Sequence, residues 1–218
     1  DLGRCRTMTV IRECVNPACA FRYPDPDSSH TIAYCPKCGQ QAAICETIPE
    51  SEKLSFLEKK NPAFHLSVLL DNVRSIYNAG SIFRTAEGFG IEELFICGIT
   101  PTPQHPRFSK TSLGSEQHLK WSYHPNAVTV CDQLGKSGTI IVSLENSSQA
   151  NNLYAFSENI FNKSALLVVG NEISGVDPQL LRMSSFVFAI PMAGFKHSFN
   201  VATAFGIAVS YFYSLSLS

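Results

Sequence analysis

The stretch IPMAGFKHSFNVATAFG, Ile190 to Gly206, begins as a buried strand, breaks at a glycine, and passes through Lys196, His197, Ser198 and Asn200 before becoming an uncharged apolar segment. That pattern reads as a strand end feeding a helix start. In α/β proteins such a junction leaves backbone N–H groups unpaired and pointing into a crevice, so polar side chains placed there point to a small-molecule site.

The same grammar extends through most of the chain. From Phe64 onward, short apolar runs such as FHLSVLL, IEELFICG, TIIVSLE, ALLVVGNE and FVFAIPM alternate with longer amphipathic stretches. Strand and helix in alternation imply an α/β fold with a mostly parallel sheet flanked by helices. The final segment, Phe199 to Ser218, carries no charge, but Asn200, Thr203 and several serines interrupt it. It reads as a buried or interfacial helix rather than a membrane span, and no other part of the chain is membrane-like. The 218 residues, 44% hydrophobic and 16% charged, suit a globular domain with a small appendage and exclude a disordered chain. The opening residues DLGRCRTMTVIREC hold no uninterrupted apolar core of the kind a signal peptide needs. A chain that opens without Met is also expected to continue upstream. A cytoplasmic protein is expected.

Eight cysteines could signal a secreted, disulfide-bonded protein, but four of them fall as pairs within the first forty residues. Cys14 and Cys19 are followed, after a longer arm, by Cys35 and Cys38, and two short-spaced thiolate pairs of this kind can converge on one tetrahedral Zn²⁺. Pro36 and Gly39 supply the tight turn around the second pair. The four-residue gap in the first pair is wide, which leaves His30 or Cys5 as a substitute ligand; four merely buried or reactive cysteines are the plain alternative. So small a module builds little core, and a structural zinc would carry much of its stability. The charge-dense ETIPESEKLSFLEKKNP then reads as a linker. The expected organisation is a zinc ribbon over 1–45, a linker over 46–62 and the α/β domain over 63–218.

Three strand ends stand out. YNAGSIFRTAEGFG places Asn78, a candidate helix N-cap, six residues before Arg84. VVGNEISGVD closes an apolar strand with Gly170, Glu172 and Gly175, whose glycines permit close backbone approach by a ligand. The third is the opening stretch. Each has a plain alternative: a surface arginine paired with Glu87, a solvated carboxylate in an ordinary turn, and a helix cap at Ser198 or Asn200. No G-x-G-x-x-G follows the first strand and no P-loop is present, which disfavours dinucleotide and nucleotide-hydrolysing enzymes.

Taken together, NAGSIFRTAEGFG, LVVGNEISGVD and IPMAGFKHSFNVATA resemble, in order, the three motifs of the SpoU, or TrmH-like, branch of the SPOUT RNA 2′-O-ribose methyltransferases. The resemblance covers about Phe64 to Ser218. Phe199 stands where that family commonly has Leu, a change that core volume tolerates. The resemblance implies a deep trefoil knot, a homodimer, S-adenosylmethionine as methyl donor and a ribose of tRNA or rRNA as acceptor. Carried over position by position, it assigns Leu144, Glu145, Val169, Gly170, Asn171, Glu172, Ile190, Met192, Ser198, Phe199 and Asn200 to the cofactor, and Arg84, Asn78, Glu172, Ser198 and Asn200 to catalysis.

Charge gives RNA little help. Residues 1–60 hold 8 basic and 8 acidic side chains, and residues 61–218 hold 9 and 10, so neither part is a basic footprint. RNA binding would then rest on a local patch, for which Arg107, Lys110, His118, Lys120 and Trp121 are candidates, or on Phe21, Arg22, Tyr23, Tyr34 and Lys37 of the ribbon. The competing function class is a catalytically inactive zinc-ribbon RNA-binding protein that keeps the knotted domain.

Overall fold

The structure, a computed structural model, describes residues 9–26, 32–48 and 64–217. The chain divides into two compact units, Asp1–Glu58 and Lys59–Ser218. The small unit is a four-stranded antiparallel sheet of β1 (Val10–Cys14), β2 (Arg22–Asp25), β3 (Ala33–Tyr34) and β4 (Gln41–Thr47), in the order β2-β1-β4-β3. Strand β1 alternates buried and half-buried residues, turning Val10, Arg12 and Cys14 inward. Arg12 is buried there because its Nε donates to Asp25 at 2.7 Å.

The large unit holds seven strands: β5 (Leu66–Asp71), β6 (Leu94–Cys97), β7 (Trp121–His124), β8 (Ile140–Leu144), β9 (Asn151–Asn152), β10 (Ala165–Val169) and β11 (Phe186–Ala189). Their order is β7-β6-β5-β10-β8-β11-β9, and every pairing is parallel. The chain builds outward from β5 to β7 on one side, returns to lay β8 on the other, and then inserts β10 between β5 and β8. Connecting loops therefore diverge on the two sides of β5 and open a crevice at the carboxyl ends of the strands.

The continuous apolar strands follow from cover on both faces. Along β10, Ala165, Leu167 and Val169 join the core that includes Phe205 and Phe212, while Leu166 and Val168 join the one that includes Ala127, Cys131 and Leu180. Helices α1 (Ile76–Gly88) and α5 (Val201–Ser216) belong to the first side, α3 (Ala127–Lys136) and α4 (Pro178–Met183) to the second; α2 (Ser109–Ser112) is a single turn. In α5 the buried residues Phe205, Ala208, Val209, Phe212 and Ser216 fall on one stripe, so the uncharged helix is explained by core packing. Among the described residues no helix is long and apolar enough to cross a membrane.

The entry to α1 differs from the sequence expectation. Its N-cap is Ser75, whose Oγ accepts from the Asn78 N–H at 3.4 Å, so Asn78 lies inside the first turn and its side chain is free for other work.

Candidate active site

Three loops close over the carboxyl ends of β8, β10 and β11 and enclose a cavity of about 420 Å³. All eleven positions that the resemblance assigns to a cofactor border it. Leu144, Val169, Ile190 and Met192 give it apolar walls, and the loops supply polar rims.

A chain of hydrogen bonds ties those loops together. Glu172 accepts from the backbone N–H of Arg74 at 2.8 Å, from the N–H of Ser75 at 3.0 Å and from Nδ2 of Asn78 at 2.8 Å. Oδ1 of Asn78 in turn accepts from Nδ2 of Asn200 at 2.9 Å, and Oδ1 of Asn200 caps α5 by accepting from Ala202 and Thr203. Burial alone pushes the Glu172 carboxyl up, but the donors from Arg74, Asn78 and Ser75 outweigh it and hold the group below the usual carboxylate range. The carboxylate is thus kept ionised by the donors it orders.

The turn after β10 is shaped by close contact. Asn171 and Gly175 pair backbone to backbone, and a Cβ on Gly170 would collide with the main chain of Gly175 and Val176. Gly175 has φ +71°, and a Cβ there would strike the Glu145 carboxylate, which accepts from the N–H of Val176 at 2.7 Å. Ser198, Phe199 and Met192 border the cavity from the β11–α5 loop, which Asn146 pins by donating from Nδ2 to the His197 carbonyl at 2.5 Å.

Arg84 is not brought to this cavity. It lies six residues beyond Asn78, about 9 Å along α1 and roughly 120° round its axis, and borders a separate hollow of about 560 Å³ with Glu87, Ser115, Gln117 and His118. Arg84 is exposed and makes no ion pair among the described residues; the expected partner Glu87 does not hold it. Part of the expected basic patch is also committed elsewhere, because Lys120 pairs with Glu93 at 2.7 Å and Trp121 packs against the core.

Sequence reasoning missed Asp71 and Asn72, at the end of β5. Asp71 is buried and accepts from the Asp177 N–H at 3.0 Å and from Nδ2 of Asn72 at 2.8 Å, while the Asn72 carbonyl accepts from Nδ2 of Asn171 at 2.7 Å. Burial raises the Asp71 pKa, partly offset by those two donors. Asn72 sits at φ +57°, a conformation Asn tolerates, so the DN pair closing an apolar strand was a readable turn signal.

In the small unit the sulfurs of Cys14, Cys19, Cys35 and Cys38 all lie within 4.8 Å of one another. Cys14 and Cys38 are 3.4 Å apart, Cys19 and Cys35 3.9 Å. Four thiolates around one Zn²⁺ with bonds of about 2.3 Å would stand about 3.8 Å apart, so the spacing fits that ion. Burial pushes the Cys14 thiol up to about 12; burial also pushes Cys35 up, but the N–H groups of Cys38 and Lys37 bring it down to about 7. The alternative ligands His30 and Cys5 lie outside the described residues, as does residue 49 onward of the expected linker.

Residues 65–210 match the SpoU rRNA Methylase family. The chain belongs to that family. A tRNA (guanosine(18)-2′-O)-methyltransferase of Borreliella burgdorferi is 28% identical over 146 residues, 66% of this chain and 64% of that protein. A 23S rRNA (guanosine(2553)-2′-O)-methyltransferase of Bacillus subtilis is 29% identical over 172 residues, 78% of this chain and 63% of that protein. The chain thus spans just under two thirds of the length of these two family members. Among solved structures, the SpoU methyltransferase AviRb from Streptomyces viridochromogenes in complex with the cofactor AdoMet shares the fold, with a TM-score of 0.63 and 23% identity over 82% of this chain and 69% of that one.

Proposed function

We propose that this protein is an S-adenosylmethionine-dependent RNA methyltransferase that 2′-O-methylates a ribose in tRNA or rRNA. The observation that carries the reading is the Asn200–Asn78–Glu172 chain of hydrogen bonds, in which Asn78 of the first motif ties together Glu172 and Asn200, cavity-lining residues of the other two. Its volume lies within the range of about 300–1,000 Å³ usual for small-molecule sites, and its apolar walls with polar rims suit a nucleoside bearing an amino-acid tail. When bound, the donor would supply an electrophilic methyl on a sulfonium sulfur: the ribose oxygen would take the methyl as the C–S bond breaks, the neutral thioether would leave and the hydroxyl proton would pass to solvent. The protein's part is positioning. Glu172 fixes the start of α1 against the turn after β10, and Asn78 and Asn200 set the rim where ribose enters.

A guanidinium is a permanent cation, so Arg84 serves as a bidentate clamp on an RNA phosphate whose field favours loss of the hydroxyl proton. Its place outside the cavity supports a homodimer in which each protomer's Arg84 serves its partner's cavity. Family membership also supports a trefoil knot formed by the C-terminal passage, a cytoplasmic location and a methyltransferase domain at 63–218, and the cysteine cluster supports a zinc ribbon at 1–45, with a linker at 46–62 between them. In the ribbon, Cys14, Cys19, Cys35 and Cys38 would hold a structural Zn²⁺, whose charge would stabilise the bound thiolates.

The test is transfer of an isotopically labelled methyl group to RNA, followed by alkaline hydrolysis. A 2′-O-methyl blocks cleavage at its own phosphodiester, so label should appear in alkali-resistant dinucleotides; label in mononucleotides, or none at all, would refute the assignment. Mixing inactive Arg84→Ala and Asn200→Ala proteins should restore about one quarter of wild-type activity if Arg84 acts across a two-fold dimer. No restoration would place the arginine and the cavity in one protomer.

A further inference from the structure

The small unit carries a surface that neither its sheet nor its cysteine cluster requires. The rings of Phe21 and Tyr23 stack with centroids 5.7 Å apart. Nζ of Lys37, within the Cys35–Cys38 turn, stands 5.9 Å from the Phe21 centroid. The Tyr23 hydroxyl donates to the Tyr34 carbonyl at 3.3 Å, fastening the start of that turn to the stack. Tyr34 is nevertheless 67% exposed and Phe21 37%. The neighbouring arginines are committed, Arg12 to Asp25 and Arg22 to Glu13, whereas Lys37 makes no ion pair among the described residues. The Phe21–Tyr23 stack, the Lys37 ammonium over it and the exposed Tyr34 whose carbonyl holds the Tyr23 hydroxyl are thus linked, and the cation among them is held only by a ring.

We infer that this patch is a platform for single-stranded RNA, with bases stacking on Tyr34 and Phe21 while the Lys37 ammonium exchanges the Phe21 ring for a phosphate. Every base has a π-face, so stacking gives affinity without demanding a sequence, and a surface cation–π contact is weak enough to be traded for an ionic one. The choice of RNA rests on the function proposed above; the rings and the cation do not. The platform also answers the charge problem. With 9 basic against 10 acidic residues in 61–218, and Lys120 held by Glu93, the large unit offers little general attraction for phosphate. A second foothold on the same chain raises the effective concentration of RNA at the first.

The test is fluorescence anisotropy of a short labelled oligouridine with the full-length protein at several salt concentrations. Tyr34→Ala should weaken binding about tenfold, and Tyr34→Phe, which keeps the ring, should not. Lys37→Gln should lower the slope of log affinity against log salt by about 0.7. Zinc content, measured on each variant, reports whether the Cys35–Cys38 turn is intact. S-adenosylmethionine binding in the same preparations should stay at the wild-type value. Equal oligouridine affinity and equal salt slope for wild type, Tyr34→Ala and Lys37→Gln would overturn the platform, as would an effect of Tyr34→Ala confined to self-association or to a protein partner. Failure of wild type to bind S-adenosylmethionine would instead overturn the enzymatic reading, and the oligouridine comparison would still judge the platform.

Discussion

Glu172→Gln is expected to cut methyl transfer about a hundredfold or more, because bonds to a charged acceptor are each worth about 1.5–3 kcal/mol and every tenfold in rate is about 1.4 kcal/mol. The amide keeps one acceptor oxygen and turns an N–H₂ toward donors, so it cannot serve the Arg74 and Ser75 amides together with Asn78. The start of α1 then loosens from the turn after β10, and both cofactor affinity and turnover should fall. The same carboxylate sets an acid limit. Its folded pKa lies below the ordinary value, so its contribution is complete above the usual carboxylate range and is lost as pH falls through the lowered folded value. The thermal midpoint of wild type should drop in that acid window, and that of Glu172→Gln should be lower at neutral pH with a shallower acid decline. Parallel pH curves for the two proteins would show that the carboxylate does not order these loops.

Removal of zinc, by chelation or by Cys35→Ser, is expected to unfold the small unit. Structural zinc contributes about 10–16 kcal/mol in small metal-organised modules, far more than a four-stranded sheet with few buried side chains can replace. Hydrogen exchange should then accelerate across Val10–Cys14 and Gln41–Thr47, while Ala165–Val169 in the large unit remains protected. One zinc per chain is the expected content. Unchanged protection of β1 and β4 after complete chelation would show that the cysteines are structural without a metal.

Much of this architecture was legible because its signals are strong and local. Fully apolar runs such as ALLVV at 165–169 can hardly be anything but strands covered on both faces, and each is followed by a polar or glycine-bearing turn. The convergence of Glu172 and Asn200 followed from the family resemblance, since no local signal specifies which strand ends become neighbours. What escaped was geometry finer than the motif. Asn78 and Arg84 stand in one motif, yet a helix turns their side chains to different sides, and only Asn78 bonds to the cavity-lining residues Glu172 and Asn200. Ser75 and Asn78 are both good capping residues, and the choice between them depended on Asn78 being drawn to Glu172 and Asn200. Asp71 and Asn72, just past the apolar run FHLSVLL, were passed over although they hold the turns at Asn171 and Asp177 in place.

The most direct measurement is calorimetric titration of S-adenosylmethionine into the full-length protein, into Asn200→Ala and into Gly170→Trp. Wild type should give saturable binding near one equivalent per chain, Asn200→Ala should bind at least about tenfold more weakly as its bond to Asn78 and the helix cap are lost, and Gly170→Trp should show no binding because any side chain there collides with the main chain of Gly175 and Val176 and displaces the turn that borders the cavity. Absence of heat with wild type, or undiminished affinity in Gly170→Trp, would contradict the assignment of this cavity to the methyl donor.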